Sequence, residues 1–206
     1  MKILGLTGDI ASGKSSVARL LGEKGAAHLD ADLLVRELYA NRDFAAQLAA
    51  QFGDVLAPDG TICREKLAPL VFGNEALLHE LEAIVYPAVA QLRAQKLREL
   101  EKNGAKWVVL EAVKLLESGQ SRVCDEVWCV VASRETQLRR LIENRDLSVA
   151  QAQSRLRNQP PRERKIELAG SVPLRFVENN GTFDELKTRV AALWADFAAS
   201  AAPRDA

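Results

Sequence analysis

Short, continuous apolar runs alternate along the chain with longer stretches whose apolar positions recur every three or four residues. The runs Lys2 to Leu6, Ala27 to Asp30, Trp107 to Glu111, Val127 to Val131 and Leu174 to Val177 read as strands. The third and fourth lack polar alternation, which suits strands covered on both faces, as in a parallel sheet. Helical spacing runs from Gly13 to Gly22 through Val17, Leu20 and Leu21, and from Asp32 to Tyr39 through Leu34, Val35 and Leu38. Phe44 to Phe52 and Arg64 to Val71 flank a Pro58-Asp59-Gly60 turn signal. Asn74 to Lys102 is helical in pattern, and Pro87 is expected to end or kink it, or to open a new helix. Ser133 is placed to cap a helix to about Asn144. Ser148 with Gln151 makes a capping-box pattern for a helix that Pro160-Pro161 stops. Thr182 with Glu185 does the same for a last helix facing inward through Leu186, Val190, Leu193, Trp194 and Phe197. Strands alternating with helices predict an α/β doubly wound sheet of about five strands in a single domain over 1–206.

Composition narrows the function classes. With 48% hydrophobic residues, 206 residues suffice for a full core. Lys+Arg and Asp+Glu are 28 each, so no whole-chain basic field exists for coating nucleic acid. No apolar run approaches the roughly 18 residues of a membrane span. The glycine-rich turn soon after Leu6 argues against a signal peptide. Cys63, Cys124 and Cys129 form no C-x-x-C pair and read as free thiols in a reducing cytoplasm. His28 and His79 are too few for a His-rich metal site. Ser200 to Ala206 reads as a loose tail.

Gly8-Asp9-Ile10-Ala11-Ser12-Gly13-Lys14-Ser15 fits G-x-x-x-x-G-K-[ST] at every fixed position. It follows an apolar strand and opens a helix, the context that a phosphate loop requires. A nucleoside triphosphate needs donors converging on its oxygens. Glycines allow successive N–H groups to turn inward, and the helix N-terminus adds partial positive charge. In this reading Gly8, Ala11, Ser12, Gly13, Lys14, Ser15 and Ser16 bind ATP. Lys14 reaches the β- and γ-phosphates and the Ser15 hydroxyl takes a place on Mg²⁺.

Asp30-Ala31-Asp32 lies at the end of the second strand, where open α/β sheets place ligands. One carboxylate would orient or deprotonate an attacking hydroxyl, or either would simply cap the next helix. Between Arg134 and Lys165 nine basic residues face four acidic ones, a local excess of +5. Such a segment suits a lid over ATP, a solvated helical face, or a nucleic-acid patch. The absence of any aromatic residue there removes the stacking platform that single strands prefer.

These motifs together resemble the dephospho-CoA kinase family over nearly the whole chain. Leu6 to Ser16 is similar to the family's LTGGIGSGKST and Asp30 to Arg36 to its DADxIAR. Leu115-Leu116-Glu117-Ser118-Gly119 is similar to the end of its D-x-PLLFE segment. Gln137, Arg140, Leu147-Ser148, Ala152, Arg155 and Gln159 follow its lid helices, and Asn179-Asn180-Gly181 its late asparagine-glycine turn. The resemblance implies a three-layer P-loop kinase fold with a parallel sheet, a helical coenzyme-binding region at about 40–105 and a lid at about 134–166. It implies transfer of the γ-phosphate of ATP to the 3′-hydroxyl of dephospho-CoA in the cytoplasm, with Mg²⁺, and without nucleic acid, membrane or an obligatory protein partner. Carried onto this chain, Asp32 is the base and Lys14 and Ser15 hold phosphate and metal. Arg36 places the substrate, Arg140 acts from the lid, and Asn179 lies near the adenine.

Four places depart from that pattern. Asp9 replaces the second loop glycine and is expected to point outward. Tyr86-Pro87 replaces His-Pro, and Glu111 with Val113-Lys114 replaces Asp and Pro-Leu. Arg145 is displaced by one position from the lid arginine. Two other readings stay open on local chemistry: a P-loop kinase for another small hydroxyl acceptor such as a nucleoside or nucleotide, and an ATP-binding regulatory module.

Overall fold

The computed structural model describes residues 1–145, 147–157 and 159–200. Asp146, one of the acids counted in the basic segment, and the tail from 201 lie outside the described residues. The order of elements is β1 (Lys2–Gly8), α1 (Lys14–Gly22), β2 (Ala27–Asp30), α2 (Ala31–Ala40), α3 (Arg42–Phe52), α4 (Arg64–Phe72), α5 (Glu75–Lys102), β3 (Trp107–Glu111), β4 (Glu126–Val131), α6 (Arg134–Arg145), α7 (Val149–Arg157), α8 (Arg162–Ala169), β5 (Leu174–Glu178) and α9 (Phe183–Ala199). A short 3-10 turn at Gln120–Val123 precedes β4. The chain divides into two compact units, Met1–Leu29 with the chain from Leu100 onward, and Asp30–Glu99.

The five strands form one sheet in the order β2-β3-β1-β4-β5, and β1 pairs in parallel with both β3 and β4, as β4 does with β5. This is the α/β fold with a five-stranded parallel sheet that the sequence predicts. Parallel pairing brings the carboxyl ends of β1, β3, β4 and β5 (Gly8, Glu111, Val131 and Glu178) to one edge, where such sheets carry their sites. One face of the sheet buries Leu4, Leu6, Val109, Trp128, Val130 and Val177 against Val17, Leu20 and Leu21 of α1 and Leu186, Val190 and Phe197 of α9. A second cluster, Leu141, Ala152 and Leu156, joins α6 and α7.

The caps form as expected. Ser133 Oγ accepts from Thr136 N at 3.2 Å, Ser148 and Gln151 satisfy each other's backbone, and Thr182 with Glu185 completes a capping box. Asp59 Oδ1 holds its turn by accepting from Thr61 N at 3.0 Å. Two expectations change. Pro87 neither ends α5 nor starts another helix: 28 residues run through it. One missing N–H costs one bond of the ladder, and buried Leu81, Val85 and Val89 anchor the turns around it. Pro160-Pro161 does more than stop α7, because Pro161 is the N-cap of α8. Among the described residues no helix is long and apolar enough to cross a membrane, and all three cysteines are free thiols.

Candidate active site

Gly8 ends β1, and the chain turns through five residues into α1. Space dictates this glycine: a Cβ would stand 2.7 Å from the Val130 carbonyl oxygen and 2.9 Å from Ser12 Oγ. Gly13 has φ 95°, a left-handed conformation, and its Cβ would meet Asn179 Nδ2 at 2.2 Å. Ala11 has φ 57°, which costs a non-glycine residue on the order of 1–2 kcal/mol.

That strained loop is held from outside by side chains. Gln137 Nε2 donates to Ile10 O at 2.9 Å, and Gln159 Oε1 accepts from Ile10 N at 2.7 Å. Arg140 Nη1 donates to Ala11 O and Ser12 O at 3.3 and 3.2 Å, and Asn179 Nδ2 donates to Ser12 O at 2.7 Å. Ile10 and Ala11 also pack on the cluster of α6 and α7. The carbonyls that would repel a phosphate are therefore engaged. The N–H groups of Ala11, Gly13, Lys14 and Ser15 donate to no acceptor among the described residues. Ser12 Oγ is fully buried and has no partner among the described residues. Buried or converging donors without acceptors cost free energy unless an anion supplies the oxygens.

Lys14 Nζ lies 3.2 Å from Glu111 Oε1, and His28 Nε2 lies 2.9 Å from Glu111 Oε2. Burial pushes the Glu111 carboxyl up, but the His28 hydrogen bond and the Lys14 charge outweigh it and hold the group below its ordinary value. Glu111 thus parks the loop ammonium at the end of β3. Ser15 is exposed at the start of α1, and its hydroxyl has no partner among the described residues. Among the described residues no group of three His, Cys, Asp or Glu side chains could hold a metal by itself.

Asp9 turns its carboxylate to Lys165 of α8 and not out to solvent; the two side chains are 17% and 8% exposed. Most of the basic segment is a solvated face: Arg134, Arg139, Arg145, Arg155 and Arg157 are exposed. Arg140 and Lys165 are the two that turn to the loop. Asn179 follows β5 directly, is 6% exposed, and lines a cavity of about 460 Å³ with Glu178, Asn180, Thr182, Leu186 and Arg189. Its bond to Ser12 was not foreseeable from a reading that placed it near a base. Nor did local pattern point to Glu111, His28 or Lys165, because each contact joins residues far apart in sequence.

In the other unit, β2 ends at Asp30, so the strand does not persist to Asp32. Asp30 Oδ1 accepts from Asp32 N at 2.8 Å and Leu33 N at 3.3 Å, which makes Asp30 the N-cap of α2. Asp32 sits in the first turn with its carboxylate exposed, and Arg36 is exposed one turn on. Neither has a side-chain partner among the described residues. Tyr86 Oη donates to Glu82 Oε1 at 2.7 Å. Partial burial and that carboxylate push the phenol up to about 12, so it stays protonated and cannot serve as a base at neutral pH.

A family model described as "CoaE: Dephospho-CoA kinase" matches residues 2–185. The chain is 41% identical over 197 residues to a dephospho-CoA kinase of Geobacter sulfurreducens, covering 95% of this chain and 98% of that one. Among solved structures, one from Thermus thermophilus superposes with a TM-score of 0.77 at 33% identity, covering 95% of this chain and 97% of its own. A dephospho-CoA kinase from Campylobacter jejuni superposes with a TM-score of 0.69 at 22% identity, covering 96% and 98%, a likeness of fold.

Proposed function

The chain belongs to the dephospho-CoA kinase family, and on that premise we propose how its residues divide the work. The activity is ATP-dependent phosphorylation of dephospho-CoA, the final step of coenzyme A biosynthesis. The observation that carries the division is the set of four loop N–H groups and one buried hydroxyl without acceptors.

The triphosphate takes those donors, and Lys14 exchanges its carboxylate partner for phosphate oxygen. Glu111 keeps His28, so the ammonium can leave without stranding the carboxylate. Arg140, which uses one nitrogen on the loop carbonyls, has other guanidinium N–H groups for charge developing on the transferred group. Asn179 secures Ser12 and borders the cavity proposed for the adenine, whose size suits a small ligand. Asp32, relieved of capping by Asp30, accepts the proton of the 3′-hydroxyl as that oxygen attacks the γ-phosphorus and ADP departs. Arg36, with its guanidinium free, pairs with an anionic group of dephospho-CoA.

Mg²⁺ fits this arrangement: a free Ser15 hydroxyl together with phosphate oxygens is the mixed shell that this ion favours, and the metal would neutralise charge shared between the phosphates. The enzyme works on small molecules in the cytoplasm and needs no protein partner. A coupled assay over an acceptor panel tests the reading. ADP and coenzyme A should form one for one with dephospho-CoA, and nucleosides should give little turnover. ADP release that ignores the acceptor would overturn it.

A further inference from the structure

Asp9 brings a negative charge into a loop built to hold a polyanion. Its N–H donates to Val130 O at 3.1 Å and its carbonyl accepts from Ser12 N at 3.1 Å, so the backbone that carries this charge is fixed within the loop. The carboxylate is neutralised from α8 by Lys165, itself 7% exposed. Two other charges reach the same corner, since the buried Cys129 thiol feels Lys165, Asp9, Glu117 and Arg162 together. Arg162 is committed elsewhere, to Glu178 Oε1 at 3.3 Å and to the face of Phe176 at 3.9 Å. Among the described residues Lys165 is thus the cation left to Asp9, and both groups are sheltered enough for salt to screen them weakly.

We propose that Lys165 is a positioning residue for ATP: it cancels the Asp9 charge and pins α8 to the loop, so that the triphosphate meets a loop of net positive charge. Charge bookkeeping makes the idea testable. Removing Lys165 alone exposes an uncompensated anion beside the phosphates. Removing Asp9 alone leaves a surplus cation, and removing both restores the balance. This inference rests on the assignment of Gly8 to Ser15 to ATP, and ATP binding by the unaltered protein checks that assignment independently.

The experiment is steady-state kinetics of K165M, D9N and the double variant at several salt concentrations, below their melting temperatures. Lys165→Met should raise KM for ATP by about tenfold or more, with a smaller change in kcat and a penalty that salt changes little. Asp9→Asn should lower KM for ATP about threefold, and the double variant should return to within about threefold of the unaltered protein. Equal increases in KM for D9N and the double variant would show a mechanical latch and overturn the proposal. A double variant as poor as K165M would place Lys165 directly on the phosphates and overturn it too. Should K165M fail to fold, D9N and the double variant alone still separate these outcomes. Failure of the unaltered protein to bind ATP would instead overturn the assignment of the loop.

Discussion

Around Gly8 to Ser15, five hydrogen bonds with Gln137, Arg140, Gln159 and Asn179 hold the backbone. In the unit formed by residues 30–99, by contrast, Asp32 and Arg36 stand exposed, and neither side chain has a partner among the described residues. The donor side is held in a strained backbone shape with its carbonyls tied back. The proposed acceptor side keeps its chemistry on exposed side chains of a helix that Asp30 caps. A phosphate loop must aim N–H groups, and backbone direction can be fixed only through the fold. A base and an anchoring arginine need only be free when substrate comes.

If that division is right, damage on the two sides should differ in kind. The largest expected effect is on the acceptor side. Asp32→Asn should lower turnover by about 10²–10⁴ with ATP affinity retained, read by coupled assay and ATP titration. Next comes the donor side. Gly13→Ala must place a Cβ at φ 95° and displace the Asn179 amide, costing about 2–4 kcal/mol of stability in urea unfolding together with ATP affinity. Arg36→Ala should raise KM for dephospho-CoA by about tenfold while KM for ATP holds, and a matching rise in both would blur the contrast.

The smallest effect concerns Glu111. Its folded pKa is depressed below 4.5, so its contribution is complete at neutral pH and is lost as pH falls from about 4.5 through the folded value. The stability difference between the unaltered protein and Glu111→Gln should therefore be flat near pH 7 and shrink in acid. A difference that grew as pH fell would contradict the sign.

The elements that sequence shows best are those with sharp local edges. Ala27–Asp30 and Trp107–Glu111 are legible to the residue because short apolar runs end at charges. The phosphate loop is legible because its spacing is local, whereas the steric reasons for Gly8 and Gly13 lie with Val130 and Asn179, which only the fold brings close. Pro87 misleads because one proline is read without the packing on either side of it. The start of α8 is hidden because proline reads as a terminator, while Pro161 also serves as the N-cap of the next helix. The division of labour between Asp30 and Asp32 needed only the end of β2, which shifts one carboxylate from strand to helix turn. The grips of Asn179 on Ser12 and of Lys165 on Asp9 span 167 and 156 residues, distances at which no local periodicity speaks.

The central claim is that the donor side is complete before the acceptor binds. Calorimetric titration of the protein with Mg·ATP, with no dephospho-CoA present, tests it most directly. One saturable site per chain is predicted, occupied equally well in Asp32→Asn. No heat of binding until dephospho-CoA is added would contradict it.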